Sequence, residues 1–220
     1  MKSNQTNQPH QRRRFGSFVM PLIAVSALFL GAGSIASAQE GKSGLMIEPS
    51  ISYEVGYTSI GYPAPFSNST GTASGLGLGA RLGFHFQEAF FLGLDARYSF
   101  PQYTDSSVNY DSGASSVNWG PVIGMQMPNM GLRVWGALIL GGDLDPAGSN
   151  FDVNFQSAKG YRVGAGFHVY SLSLNLEYQS LKYDQTKLEQ LGPFNPGTTL
   201  NGVQLENKSW IASVSFPLEI

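Results

Sequence analysis

The chain has 220 residues, 27 of them glycine, with 13% charged side chains and no cysteine. That length suits one domain, or one domain with a processing segment. The missing thiol excludes disulfides, thiolate metal sites and a lipid-modified N-terminal cysteine. The net charge of −2 is unevenly spread: Lys2, Arg12, Arg13 and Arg14 face no acid within residues 1–38, so the rest carries nine basic and fifteen acidic side chains, a net of −6. No basic patch remains for a nucleic acid.

The first forty residues have the layout of a secretory leader. Basic Arg12-Arg13-Arg14 precedes an apolar run of 13 residues from Phe18 to Leu30, and Ala36-Ser37-Ala38 forms a small-x-small cleavage site before Gln39. The run is short of the ~20 residues a spanning helix needs. A cleaved signal peptide is expected over 1–38, with an uncleaved inner-membrane anchor as the alternative. The arginine triplet also resembles a twin-arginine signal, although a plain basic region explains it equally. A short periplasmic segment is expected over 39–44.

No second long apolar run follows. From Leu45 onward the pattern is alternation, in which one parity is oily and the other wet, as on the two faces of a β-strand. Leu45, Ile47, Ile51, Tyr53, Val55 and Tyr57 form the first oily set, and Leu76, Leu78, Ala80, Leu82, Phe84 and Phe86 the second. Leu92, Leu94, Ala96, Tyr98 and Phe100 form the third, and Val117, Trp119, Ile123, Met125 and Met127 the fourth. The fifth, LRVWGALILGG from Leu132, is the least regular. Tyr161, Val163, Ala165, Phe167 and Val169 form the sixth, Leu172, Leu174, Leu176 and Tyr178 the seventh, and Trp210, Ala212, Val214, Phe216 and Leu218 the eighth.

Eight such runs, most of ten to thirteen residues, match the ~9–11 that a tilted membrane strand needs and exceed the ~5–6 usual in soluble proteins. Their connections alternate. Tight turns fall at 87–89, 128–131 and 170–171; long Ser/Asn/Gly/Asp/Pro-rich loops are expected at 58–73, 101–115, 142–159 and 184–207. The wet parity carries Glu48, Glu54, Arg81, Asp95, Arg97, Arg133, Arg162 and Glu177, four acids and four arginines. Such balance suits an enclosed interior, where an unpaired charge costs several kcal/mol. On the oily parity, Tyr57, Phe100, Trp119, Tyr161 and Trp210 sit toward the long loops, and Phe84, Phe86, Phe167 and Phe216 toward the short turns. Two aromatic girdles around an aliphatic band suit a bilayer. A soluble barrel of lipocalin type also alternates, with its oily face inward. The paired charges and girdles favour the membrane form: an all-β, eight-stranded antiparallel up-and-down transmembrane barrel over 45–220.

This pattern resembles the small eight-stranded outer-membrane β-barrels of Gram-negative bacteria, the OmpA/OmpX type. The last strand resembles that family's assembly signal, with Val214, Phe216, Leu218 and Ile220, but ends on isoleucine instead of phenylalanine and contains Pro217. The resemblance implies location in the outer membrane, contact with its lipid and lipopolysaccharide, and handling by periplasmic chaperones and the barrel-assembly machinery. It names no activity.

Candidate chemistry is sparse. His85 and His168 share the inward parity near the short turns, with no Ser/Asp partner adjacent in sequence, and read as interior polar residues. Asp143, Asp145, Asn150 and Asp152 offer oxygen ligands but lack the spacing and closing glutamate of a calcium loop. No catalytic residue, cofactor or resident metal is expected. A narrow barrel with small and large residues alternating inside should pack shut. The expected role is structural or surface-interacting, through extracellular loops and a ligand the sequence does not identify. A narrow channel for small solutes, apolar ones included, is the alternative, and a lipid-modifying enzyme the third reading.

Overall fold

In the computed structural model the described residues are 43–220, except 88, 107–109, 128–129, 149–150 and 195–196. The expected leader, Asn150 and most of segment 39–44 lie outside them. Strands β1 (Gly44–Gly61), β2 (Ser69–Phe86), β3 (Phe90–Asp105) and β4 (Tyr110–Met127) follow one another as antiparallel neighbours. Then come β5 (Leu132–Ile139), β6 (Gly141–Pro146), β7 (Phe151–Val169), β8 (Leu172–Leu191), β9 (Thr198–Leu200), β10 (Gln204–Ser215) and β11 (Leu218–Glu219). β5 and β6 act as one stave between β4 and β7, and β9, β10 and β11 as the last stave beside β8. That last stave pairs back onto β1, from Ser50 with Ser215 to Gly61 with Gln204, and closes a ring of eight. Pairing of the first stave with the last closes the ring, the condition for strands to stand in lipid.

The irregular fifth run has a physical cause. Leu140 and Gly141 both sit opposite Trp119, whose carbonyl accepts the Leu140 N–H. One extra residue is thus inserted, and the inward parity changes from odd (Arg133, Trp135, Ile139) to even (Leu144).

The expected long loops are mostly strand. β1 continues to Gly61, β3 to Asp105, β7 begins at Phe151 and β8 runs to Leu191. The composition that reads as solvated loop belongs to strands standing beyond the girdle, and their apolar parity is reversed. On β8, Leu174 and Leu176 point outward while Glu177 and Gln179 are buried; further along, Leu181 and Tyr183 are buried and Lys182 faces out. The other staves agree. Ile60, Ala73, Tyr103, Leu144, Phe155 and Leu205 form a buried apolar cluster inside this upper storey. Its outer wall carries polar pairs, Lys159 with Asp184 at 3.2 Å and Thr72 with Thr104 at 2.8 Å. The lower storey is therefore oily outside and charged inside; the upper storey is the opposite.

Candidate functional site

Phe86 stands opposite Phe90 where β2 gives way to β3, which brings Arg81 opposite Asp95 on the inner face. Arg81 bonds Asp95 at 3.1 Å and reaches Glu48 on β1 at 3.2 Å. From the far wall Arg133 holds both oxygens of Glu48, at 2.9 and 2.8 Å. Arg162 on β7 bonds Asp95 and lies 3.8 Å from Glu177. Arg97 bonds Glu177 and lies 3.5 Å from Asp95. Seven of the eight charged side chains named from the sequence thus form one ion-pair network, in which Arg162 is 0% exposed.

Glu54 stands apart. It accepts hydrogen bonds from Gln179 at 3.4 Å and Asn207 at 3.1 Å, and the Gln179 carbonyl in turn accepts from Arg162 at 3.1 Å. An amide therefore links the fourth acid to the network. Further polar partners come from inward positions that charge counting passes over. Ser215 donates to Glu48 at 2.6 Å, Ser213 donates to Glu177 at 3.2 Å, and Asn118 accepts from Arg162. Their common signal is a serine or amide on the same parity as the charges.

Aromatic rings floor this network. The Arg81 guanidinium lies 4.9 Å from the Trp135 ring centre, and that of Arg133 lies 5.3 Å from Phe91. Cation–π attraction adds to pairing where water is excluded. Two glycines make room: a Cβ on Gly124 would come within 2.2 Å of the Phe91 ring, and one on Gly164 within 2.5 Å of Trp135. Amid Glu48, Arg81, Asp95, Arg97 and Glu177 the remaining space is about 10 Å³. That is the threshold for a single water.

The other candidates sort by height. Tyr57, Phe84, Phe86, Phe100, Trp119, Tyr161, Phe167 and Trp210 are exposed on the outer face, Trp210 at 57%. Phe216 is not among them: β10 stops at Ser215 ahead of Pro217, and Phe216 is half-buried, its N–H bonded to the Pro49 carbonyl. His85 is buried edge-on to Phe91. His168 lies 3.0 Å from the Ser173 hydroxyl, its register partner across the short turn, and Ser173 also accepts from Arg133 at 3.0 Å. Ser173 is fully buried, so this pairing is closed to a substrate. Asp143, Asp145 and Asp152 lie in the upper storey on the face opposite buried Leu144 and Val153, and among the described residues no three ligating groups converge for a metal.

The geometry defines a closed eight-stranded antiparallel up-and-down barrel with a paired-charge interior. No protein-family model and no curated protein sequence matches the chain. Among solved structures it is similar to the outer membrane protein AlkL in lipid bilayers, at 13% identity over 84% of this chain and 94% of that one, TM-score 0.50. It is also similar to Neisserial surface protein A, at 14% identity over 80% and 98%, TM-score 0.42. The attachment invasion locus protein Ail of Yersinia pestis aligns at 16% identity over 78% and 98%, TM-score 0.40. The likeness is one of fold.

Proposed function

We propose that the protein spans the bacterial outer membrane as a sealed barrel and acts through the structured storey it holds above the lipid, as a structural or surface-interaction protein, not an enzyme. The observation that carries this reading is the interior: a gap of about 10 Å³ among interlocked arginines and carboxylates, barely the room for one water, leaves no path for a hydrated solute. The exposed oily band, with leucines such as Leu76 and Leu174 outside and charge within, fits hydrocarbon as its solvent. Lipid and lipopolysaccharide would surround it, chaperones and the assembly machinery would deliver it, and an extracellular partner would meet the upper storey. The buried Ser173 beside His168 argues against hydrolytic chemistry at that end.

Planar-bilayer conductance of refolded protein tests the seal. The expected trace is silent. A steady porin-sized conductance in the parent protein would replace this reading with the narrow-channel one.

A further inference from the structure

The upper storey is not filled to its top. Between Tyr62, Tyr103, Tyr110, Val153 and Phe155 lies a cavity of about 100 Å³, walled almost wholly by apolar atoms. Among the described residues of its wall the carboxylic acid is Asp105, buried, with its carboxylate accepting a hydrogen bond from Ser69. The rings are mutually ordered: Tyr103 meets Tyr110 edge-on at 6.1 Å and Phe155 tilted at 6.3 Å. Tyr62 and Tyr110, at the upper strand ends, are only half-buried, so the space opens toward the upper rim of the barrel.

Three observations fix what such a space would take. An apolar cavity of about 150 Å³ elsewhere stays dry and accepts benzene, so a space of this order suits a body the size of one ring. Aromatic faces attract cations, and a carboxylate accepts hydrogen bonds but offers none. Among the described residues that line the cavity there is no lysine, arginine or histidine. Burial and then the Asp105 charge raise the pKa of both Tyr62 and Tyr103.

We propose that this mouth cavity is a binding site for a small apolar molecule, one ring in size, whose polar end donates hydrogen bonds (an amine or alcohol), and that it rejects carboxylates. The inference rests on the sealed-barrel reading only in placing the site outside the membrane. The plug beneath makes it a dead-end cup: a molecule enters and leaves by the same opening.

The test titrates the full barrel in lipid nanodiscs with benzylamine, benzyl alcohol and benzoate, following the Tyr103, Val153 and Phe155 resonances by NMR. Saturable shifts are expected with the amine and the alcohol, and at least tenfold weaker binding of benzoate. Val153→Phe, which fills the space, should abolish the shifts while the unheated gel mobility of the folded barrel persists. Asp105→Asn should bring benzoate within threefold of the amine. Equal binding of benzoate by the parent, shifts that never saturate, or shifts that survive Val153→Phe would each overturn the site. Conductance recorded on the same sample separates the two claims: current together with selective binding sinks the seal and leaves the cup.

Discussion

Arg133 on β5 and Glu48 on β1 are 85 residues apart in sequence, yet they meet across the lumen through two parallel N–H···O bonds of 2.9 and 2.8 Å. Both are essentially buried, so this bond pair ties opposite walls of the barrel together away from its surface.

Breaking it from one side should be costly. Glu48→Gln leaves Arg133 and Arg81 short of a counter-charge and should destabilise by ~3–5 kcal/mol, whereas Glu48→Leu with Arg133→Met should cost clearly less than the sum of the two single changes. Urea unfolding in lipid vesicles measures both. Losses near zero for the single variants would mean that water reaches the pair.

Gly164 is a second pressure point. Gly164→Val would drive a side chain into Trp135, whose ring leaves 2.5 Å for a Cβ. Overpacking of this kind should cost ~1–3 kcal/mol and lift Trp135 off Arg81. Gly113, where a Cβ meets nothing, is the matched control, and Gly113→Ala should leave the unfolding midpoint unchanged.

The upper storey should respond to pH. Burial, then the charges of Asp152, Glu189 and Asp143, push the Asp145 carboxyl up to about 6, with Lys187 opposing. A folded-state pKa above the unfolded value of 3.8 means the folded form holds the proton more tightly, so stability falls as pH rises through that window and stays lower above it. Asp145→Asn should therefore raise the urea midpoint at pH 7.5 and leave it unchanged at pH 3.5. A variant that gains as much at pH 3.5 would point to a cause other than titration.

Strand and loop give different exchange behaviour. Amides of Leu181, Tyr183 and Leu205 belong to paired ladders and should show strong hydrogen-exchange protection, where a solvated loop would show none. Labelling separates the two ends: a cysteine at Lys159 should react on intact cells, and one at Tyr170, 95% exposed in a short turn, should react only after the membrane is opened. The reverse pattern would invert the topology.

Much of the lower storey was legible because lipid enforces parity. An arginine on the lipid face at mid-depth costs ~2–4 kcal/mol, so Arg81, Arg97 and Arg162 could only face in. The pairing of Phe86 with Phe90 then fixed the register that sets Arg81 opposite Asp95. The upper storey was hidden by its composition. Ser, Asn and Asp on an outer wall look like loop, and the apolar residues of its core fall on the parity that was wet a few residues earlier. Ile60 after Tyr57, Tyr103 after Phe100 and Leu181 after Tyr178 all mark the change, so an apolar phase shift three residues past an aromatic was the missed signal. Parity does not distinguish Glu54 from the paired acids: its Oε1 accepts from the amides of Gln179 and Asn207.

The change of polarity at the Tyr57–Trp119–Tyr161–Trp210 level acts as a depth gauge. Sinking by one residue pair would drag Lys159, Lys182 and Lys208 toward hydrocarbon, and rising would bare leucines to water, so the molecule has one height at which both solvents are satisfied. Bilayer thickness can then vary only at the short-turn end, around Phe84, Phe86 and Phe167, and any thinning or tilting of the surrounding membrane will be concentrated at that rim.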